Sequence, residues 1–171
     1  MSVELSQDIK QKIDKWAERY PKENRKSCII EALRIVQEDC GGTLDEAHMQ
    51  AVAKHIGVEP IAAYEIASFY DMFELKKIGK FLICICTNVS CALCGAQKLV
   101  NWFKAETGIG LGETSDDGMF TLKEVECMGA CCGAPMCQVN NRHYYENMTA
   151  EKVATLIAAL RSGKEPLPEE L

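Results

Sequence analysis

The residues with the most chemistry to offer are cysteines, and they come in two short groups. Cys86, Cys91 and Cys94 stand in "CTNVSCALCG" (86–95), and Cys127, Cys131 and Cys132 in "VECMGACCGAP" (125–135). Closely spaced thiols ligate metal, exchange disulfides, or stay protonated and fill a core. Each group begins where an apolar run ends, so the reading is of two loops leaving strand ends. In an α/β sheet such loops converge on one edge. Four thiolates from two converging loops are the donor set of a tetrahedral sulfur site, which means zinc or an iron–sulfur centre. Zinc ribbons favour C-x2-C or C-x4-C knuckles, whereas a [2Fe–2S] cluster spans more space and tolerates unequal spacings, and both readings stay open on the residues alone. Gly129, Ala130, Gly133 and Ala134 leave room for peptide N–H groups to approach sulfur.

Two thiols compete for roles. Cys131 and Cys132 are adjacent, so their side chains diverge and one turns away from any site the other enters. Cys91-Ala92-Leu93-Cys94 is a CxxC opening a helix after a strand, the position of a thioredoxin-like dithiol. There the helix N-terminus would lower the pKa of Cys91 and give a dithiol–disulfide oxidoreductase. That alternative leaves Cys86, Cys127 and Cys131 without work. The remaining cysteines have plainer expectations: Cys84 fills a strand core, Cys28 and Cys40 belong to helices without chemistry, and Cys137 packs in a strand or near the site without ligating.

Ten cysteines in 171 residues are unusual for the setting the rest of the sequence implies. The N-terminus is polar with no signal-peptide apolar core, and the longest apolar run, "FLICIC", is far short of a membrane span. The expectation is a cytoplasmic protein with no direct membrane insertion, where structural disulfides are disfavoured. A net charge of −6 without a dense Lys/Arg run gives no support to nucleic-acid binding. His48, His55 and His143 are dispersed, and "GIGLG" (108–112) follows a helix instead of opening one, so neither a histidine metal motif nor a dinucleotide loop is present.

The elements that must position these groups fall into two kinds. Residues 1–77 read as helical: about 6–19 capped by Ser6, about 26–39, about 44–56 with a Thr43/Glu46 capping box and Gly57 as stop, and a fourth opened by Pro60. In the fourth, Ile61, Tyr64, Ala67 and Ser68 are expected inward, and "FYDMF" (69–73) is expected to be interdomain core. From residue 78 the pattern becomes strand (81–86), helix (92–105, with Ala92, Ala96, Leu99, Val100 and Phe103 as its apolar stripe), strand (119–126), strand (136–140), a turn into a further strand, and helix (149–161). Residues 162–171 read as a loose, flexible tail. The fold class is therefore α+β: a small N-terminal helical bundle followed, over 78–161, by a domain with thioredoxin-like element order.

With those residues in view, the chain resembles a known family. "CTNVSCALCG", "ECMGACCGAPMCQVN" (126–140) and "ASFYDMF" (67–73) resemble the 24-kDa-type [2Fe–2S] subunit of NADH:quinone oxidoreductase, respiratory complex I. The resemblance covers roughly residues 10–160. It implies a thioredoxin-like ferredoxin domain with one [2Fe–2S] cluster on Cys86, Cys91, Cys127 and Cys131, and it selects Cys131 over Cys132. It also implies a one-electron carrier with no catalytic residues of its own, in a complex peripheral on the cytoplasmic side of the inner membrane. NADH and FMN would sit on a partner, the NADH/FMN-binding flavoprotein subunit, beside other peripheral-arm subunits, with residues 1–77 as a helical docking region. Related chains serve NAD-linked hydrogenases and formate dehydrogenases. The sequence departs from the family at Ala92, where His is more usual, and in the extra thiols Cys94, Cys132 and Cys137.

Overall fold

In the computed structural model, which describes residues 3–171, the Ser6 hydroxyl accepts the Ile9 N–H at 3.3 Å and starts α1 (Gln7–Ala17). Ile9, Ile13 and Ala17 recur at helical spacing and form its buried stripe. A 3₁₀ turn (Lys22–Cys28) bent at Asn24 precedes α2 (Ile29–Asp39), so the second helix starts later than its apolar pattern implied. The cap of α3 (Glu46–Ile56) is Asp45, whose carboxylate accepts the His48 N–H at 2.8 Å; the expected Thr43/Glu46 box does not form. A carboxylate at the N-cap also meets the positive end of the helix dipole. Gly57, at φ +87°, closes α3 in a left-handed cap open to glycine without strain.

Helix α4 (Pro60–Phe69) corrects the expected inward face. Ala63 and Ala67 are buried, while Ile61 is 60% and Tyr64 51% exposed. The helix is apolar almost all round, so periodicity could not choose a face. The aromatic stretch after it divides. Phe73 is buried in the helical unit's own core, where the Gln37 side chain clamps the backbone beside it, donating to the Met72 carbonyl at 2.9 Å and accepting the Glu74 N–H at 2.8 Å. Phe69 and Tyr70 stay exposed as an edge-to-face pair 5.1 Å apart.

The chain divides between Lys77 and Ile78 into two compact units. The second is built on a four-stranded sheet of order β2-β1-β3-β4. The strand β1 (Phe81–Cys86) is buried at every position because it is central. It runs parallel to β2 (Phe120–Val125), with Phe81 opposite Phe120 and Cys86 opposite Val125. On its other side it is antiparallel to β3 (Cys137–Val139), which pairs in turn with β4 (His143–Tyr145).

Two parallel neighbours require a crossover, and two helices supply it: α5 (Val89–Leu93) and α6 (Ala96–Thr107). They replace the single helix expected over 92–105. Gly95 at φ +98° breaks them apart and resets the helical phase, which leaves Ala92 exposed outside the stripe. Phe81, Ile83 and Ile85 pack with Leu99, Phe103 and the buried side of α7 (Ala150–Arg161) in one core. Thr149 caps α7, accepting the Lys152 N–H at 3.3 Å.

Residues 162–171, expected as a loose tail, are mostly exposed but tied down at two points. Pro166 is buried, its carbonyl accepts the Tyr145 hydroxyl at 2.7 Å, and Leu171 touches the core. A phenol as buried as Tyr145 needs an acceptor, and the tail provides it.

Candidate metal centre

Because β1 and β2 are parallel and in register, the chain leaves both at the same sheet edge, after Cys86 and after Val125. The two loops that follow carry the cysteine groups, and side chains tie them together. The Thr87 hydroxyl donates to Glu124 at 2.7 Å, and the Asn88 amide donates to Glu126. Asn88 also caps α5, its carbonyl oxygen accepting the Val89 N–H at 2.8 Å. That short helix turns Cys91 back toward Cys86.

Cys86 and Cys91 are 3% and 2% exposed, in a small apolar cluster with Ala96 and Met136 against which Met128, Ala130 and Ala134 pack. Burial, and then the hydrogen bond and charge of Cys86, push the Cys91 thiol up to about 11, against a lowering contribution from the Met136 N–H on its sulfur. The raised thiol runs against the alternative of Cys91 as an activated nucleophile. A five-residue helix with Cys91 at its third position does not outweigh desolvation.

The second pair is exposed. The sulfurs of Cys127 and Cys131 are 3.4 Å apart, and the Gly129 N–H donates to Cys127 Sγ at 3.4 Å. That N–H, followed by the hydrogen bond with Cys131, holds the Cys127 thiol below its ordinary range. The Cys131 thiol is raised, chiefly by Cys127, while the Ser90 hydroxyl of α5 bonds to it and opposes the rise. Cys131 also feels the charge of Cys86, and Cys91 that of Cys131. All four sulfurs thus share one electrostatic neighbourhood. Cys94 and Cys132 are exposed, whereas Cys84 and Cys137 are buried in the sheet, where burial pushes the Cys137 thiol far up.

Sequence reasoning missed the residues that hold the second loop. The Tyr144 hydroxyl donates to the Met128 carbonyl at 3.1 Å. The Asn147 N–H donates to the Gly133 carbonyl at 2.7 Å, and the Met148 N–H to the Pro135 carbonyl at 2.9 Å. Glu146 lies so close to Gly133 that a Cβ there would collide with its carboxylate. These partners sit on β4 and the turn beyond it, and only the Tyr-rich run "HYYEN" marked the segment at all.

Among the described residues, no three His, Cys, Asp or Glu side chains are grouped as a mononuclear metal site would group them; the thiols come as two pairs. Two pairs of thiols, with peptide N–H groups from Gly129 and Met136 already aimed at sulfur, fit the four-cysteine donor set of a [2Fe–2S] cluster.

Comparisons with known proteins agree with that donor chemistry. The family model described as thioredoxin-like [2Fe–2S] ferredoxin matches residues 13–161. Among curated proteins, the chain is 40% identical to an NADH-quinone oxidoreductase subunit of Rhizobium meliloti, over 91% of this chain and 90% of that one. It is 37% identical to NADH-quinone oxidoreductase subunit 2 of Thermus thermophilus, over 85% of this chain and 80% of that one. It is 38% identical to the mitochondrial NADH dehydrogenase [ubiquinone] flavoprotein 2 of Dictyostelium discoideum over 94% of this chain, and spans only 65% of that relative's length. Among solved structures, an NAD⁺-reducing [NiFe]-hydrogenase in the H₂-reduced state matches with a TM-score of 0.64 at 20% identity, over 76% of this chain and 22% of that one, a likeness of fold.

Proposed function

The chain belongs to the thioredoxin-like [2Fe–2S] ferredoxin family, and on that premise we propose that it is the one-electron carrier subunit of an NADH:quinone oxidoreductase of the complex I type. The observation that carries the reading is the convergence of Cys86, Cys91, Cys127 and Cys131, from two parallel strand ends, into one electrostatic neighbourhood. These four would hold the cluster, which when bound supplies a centre that takes up and releases one electron at a time. The chain's own contribution is to present thiolates, to keep water from the buried side through Met136 and Ala96, and to direct N–H groups at sulfur, where they offset negative charge.

NADH delivers a hydride, which is two electrons, and nothing in the two cysteine loops receives one. NADH and FMN would therefore bind a partner flavoprotein, and enzyme activity would belong to the assembly. The helical unit would serve docking, a role supported by the exposed aromatic pair Phe69 and Tyr70 and by Ile61 and Tyr64 on α4. No helix among the described residues is long and apolar enough to cross a membrane, and a peripheral position on the cytoplasmic side is the corresponding proposal.

Iron and acid-labile sulfide analysis with visible absorption, followed by an anaerobic titration, tests this reading. About two irons and two sulfides per chain are expected from the stoichiometry of a Cys₄ [2Fe–2S] centre. Dithionite should bleach the visible bands, and NADH should do so only with the flavoprotein present. Colourless, sulfide-free protein after anaerobic reconstitution, or rapid reduction by NADH alone, would overturn it.

A further inference from the structure

We propose that Tyr144 is a positioning residue for the redox centre: by fixing the Met128–Gly129 peptide it directs that peptide's N–H at the sulfur of Cys127. Two contacts meet on this single peptide unit. Its carbonyl, from Met128, accepts the Tyr144 hydroxyl at 3.1 Å, and its N–H, from Gly129, donates to Cys127 Sγ at 3.4 Å. A trans peptide is planar, with its C=O and N–H pointing opposite ways. Holding the oxygen on one side therefore sets the direction of the hydrogen on the other.

The peptide needs such a hold. Gly129 sits at φ +84° with nothing within 4 Å of where a Cβ would be, so the glycine itself adds no packing, and only its neighbours Met128 and Ala130 rest against the apolar cluster. The far end of the loop is anchored by backbone donors, Asn147 to Gly133 and Met148 to Pro135, but those bonds lie beyond Cys131. Tyr144, by contrast, stands on β4 in register with Gln138, a fixed point of the sheet. Its neighbour Tyr145 points into the core, so strand alternation turns Tyr144 toward the loop. The hydroxyl also polarises the peptide, since a carbonyl that accepts a hydrogen bond makes its own N–H a better donor.

The inference rests on Cys127 being a cluster ligand, and its consequence has a sign. A hydrogen bond to a ligand sulfur stabilises the more negative, reduced state and raises the potential. Tyr144→Phe removes only the donor oxygen, so the variant should load its cluster and be harder to reduce. The equilibrium for reduction should fall about threefold to tenfold, where tenfold is 59 mV for one electron. A merely structural tyrosine would alter stability and leave the potential in place.

The experiment is an EPR-monitored redox titration of full-length wild-type and Tyr144→Phe protein, each with its iron content measured. In parallel, hydrogen exchange of the Gly129 amide is followed by NMR in the iron-free full-length chains. The proposal expects a more negative midpoint and about tenfold faster Gly129 exchange in the variant. If the variant loads poorly, the Gly129 amide decides alone: faster exchange supports the proposal and unchanged exchange overturns it. A loaded variant with the wild-type midpoint overturns it and leaves the ligand assignment standing. Wild-type protein that binds no iron at Cys127 sinks the ligand assignment first and this inference with it.

Discussion

The two cysteine loops supply the same donors and are built in opposite ways. Cys86 and Cys91 are 3% and 2% exposed, and apolar contact with Ala96 and Met136 holds them. Cys127 and Cys131 are exposed and are held by hydrogen bonds, from Gly129 to one sulfur and from Ser90 to the other, with Tyr144 behind the loop. Burial keeps a thiol protonated, whereas a peptide N–H favours the thiolate. Cys91 is therefore preorganised but reluctant to ionise, whereas Cys127 ionises more readily, at the expense of Cys131, and its loop depends on polar ties for its shape. A ligand thiol must lose its proton to bind iron, so Cys91 releases its proton at a greater cost than Cys127 does.

The comparison is tested hardest by replacing one ligand from each loop. Cys91→Ser and Cys131→Ser should both abolish the normal cluster, read as iron, sulfide and visible absorption. Their iron-free stabilities should differ. A hydroxyl at position 91 enters an apolar pocket and should cost about 1–3 kcal/mol in urea unfolding. At exposed position 131 the change should stay within about 0.5 kcal/mol. Equal destabilisation by the two would erase the distinction between the loops, and full clusters in both would remove the ligand assignment.

Thiol reactivity in the iron-free chain gives the next largest contrast. With its pKa at about 11, Cys91 is on the order of 0.1% thiolate at pH 8, while an ordinary thiol is about a hundredfold more ionised. Cys127, held below the ordinary range, is more ionised still. Iodoacetamide with peptide mapping should label Cys127 first and Cys91 far later, with rates about a hundredfold or more apart. The pH profiles should separate in the same sense: the Cys127 rate rises earlier than for a free thiol, and the Cys91 rate climbs only as pH approaches 11. Similar rates at pH 8 would show that Cys91 is not desolvated as its burial implies.

How much of this was legible follows the same physics. The strand "FLICIC" announced itself because a central strand covered on both faces is apolar throughout, and Ser6, Gly57, Pro60 and Thr149 marked helix ends through chemistry local to a few residues. The second cysteine loop hid its supports. Tyr144, Asn147 and Met148 act on residues far upstream, partly through backbone groups that every residue carries, so no side-chain pattern reports them. The face of α4 and the break at Gly95 were misread because an apolar helix has no preferred side and a glycine in a helical run can continue or stop it. The anchoring of the tail was invisible because it runs through the Pro166 carbonyl, a main-chain acceptor, answering a buried Tyr145.

Asn88 offers a smaller test of how the first loop is set. Its side chain caps α5 at Val89 and reaches Glu126 on the other loop, so Asn88→Ala removes a cap and a tie together. The loss should be about 1 kcal/mol, with the cluster retained. Asn88→Asp keeps the cap but places a carboxylate against Glu126, and it should weaken cluster retention more than the alanine does. If the aspartate variant matches wild type in both measures, the tie to Glu126 contributes nothing and only the cap matters.

The smallest effects should come from the thiols that the comparison leaves out. Cys94 caps the end of α5 and Cys132 follows Cys131, both exposed, and neither is among the groups that shift the acidities of Cys91, Cys127 and Cys131. Adjacent residues point apart, so with Cys131 turned toward Cys127 at 3.4 Å, Cys132 turns away. Cys94→Ser and Cys132→Ser, singly and together, should each keep about one cluster per chain, an unchanged EPR spectrum and stability within about 0.5 kcal/mol of wild type. The pairing of outcomes at 131 and 132 is what makes this small effect informative. If Cys132→Ser loses the cluster while Cys131→Ser keeps it, the loop presents the other thiol to iron, and the 3.4 Å contact between Cys127 and Cys131 is not the ligand pair. If each single variant keeps a cluster and only the double loses it, the two thiols substitute for one another. The exposed loop would then be set loosely enough to rotate by one residue, which the buried loop, with Cys91 locked against Met136, has no room to do.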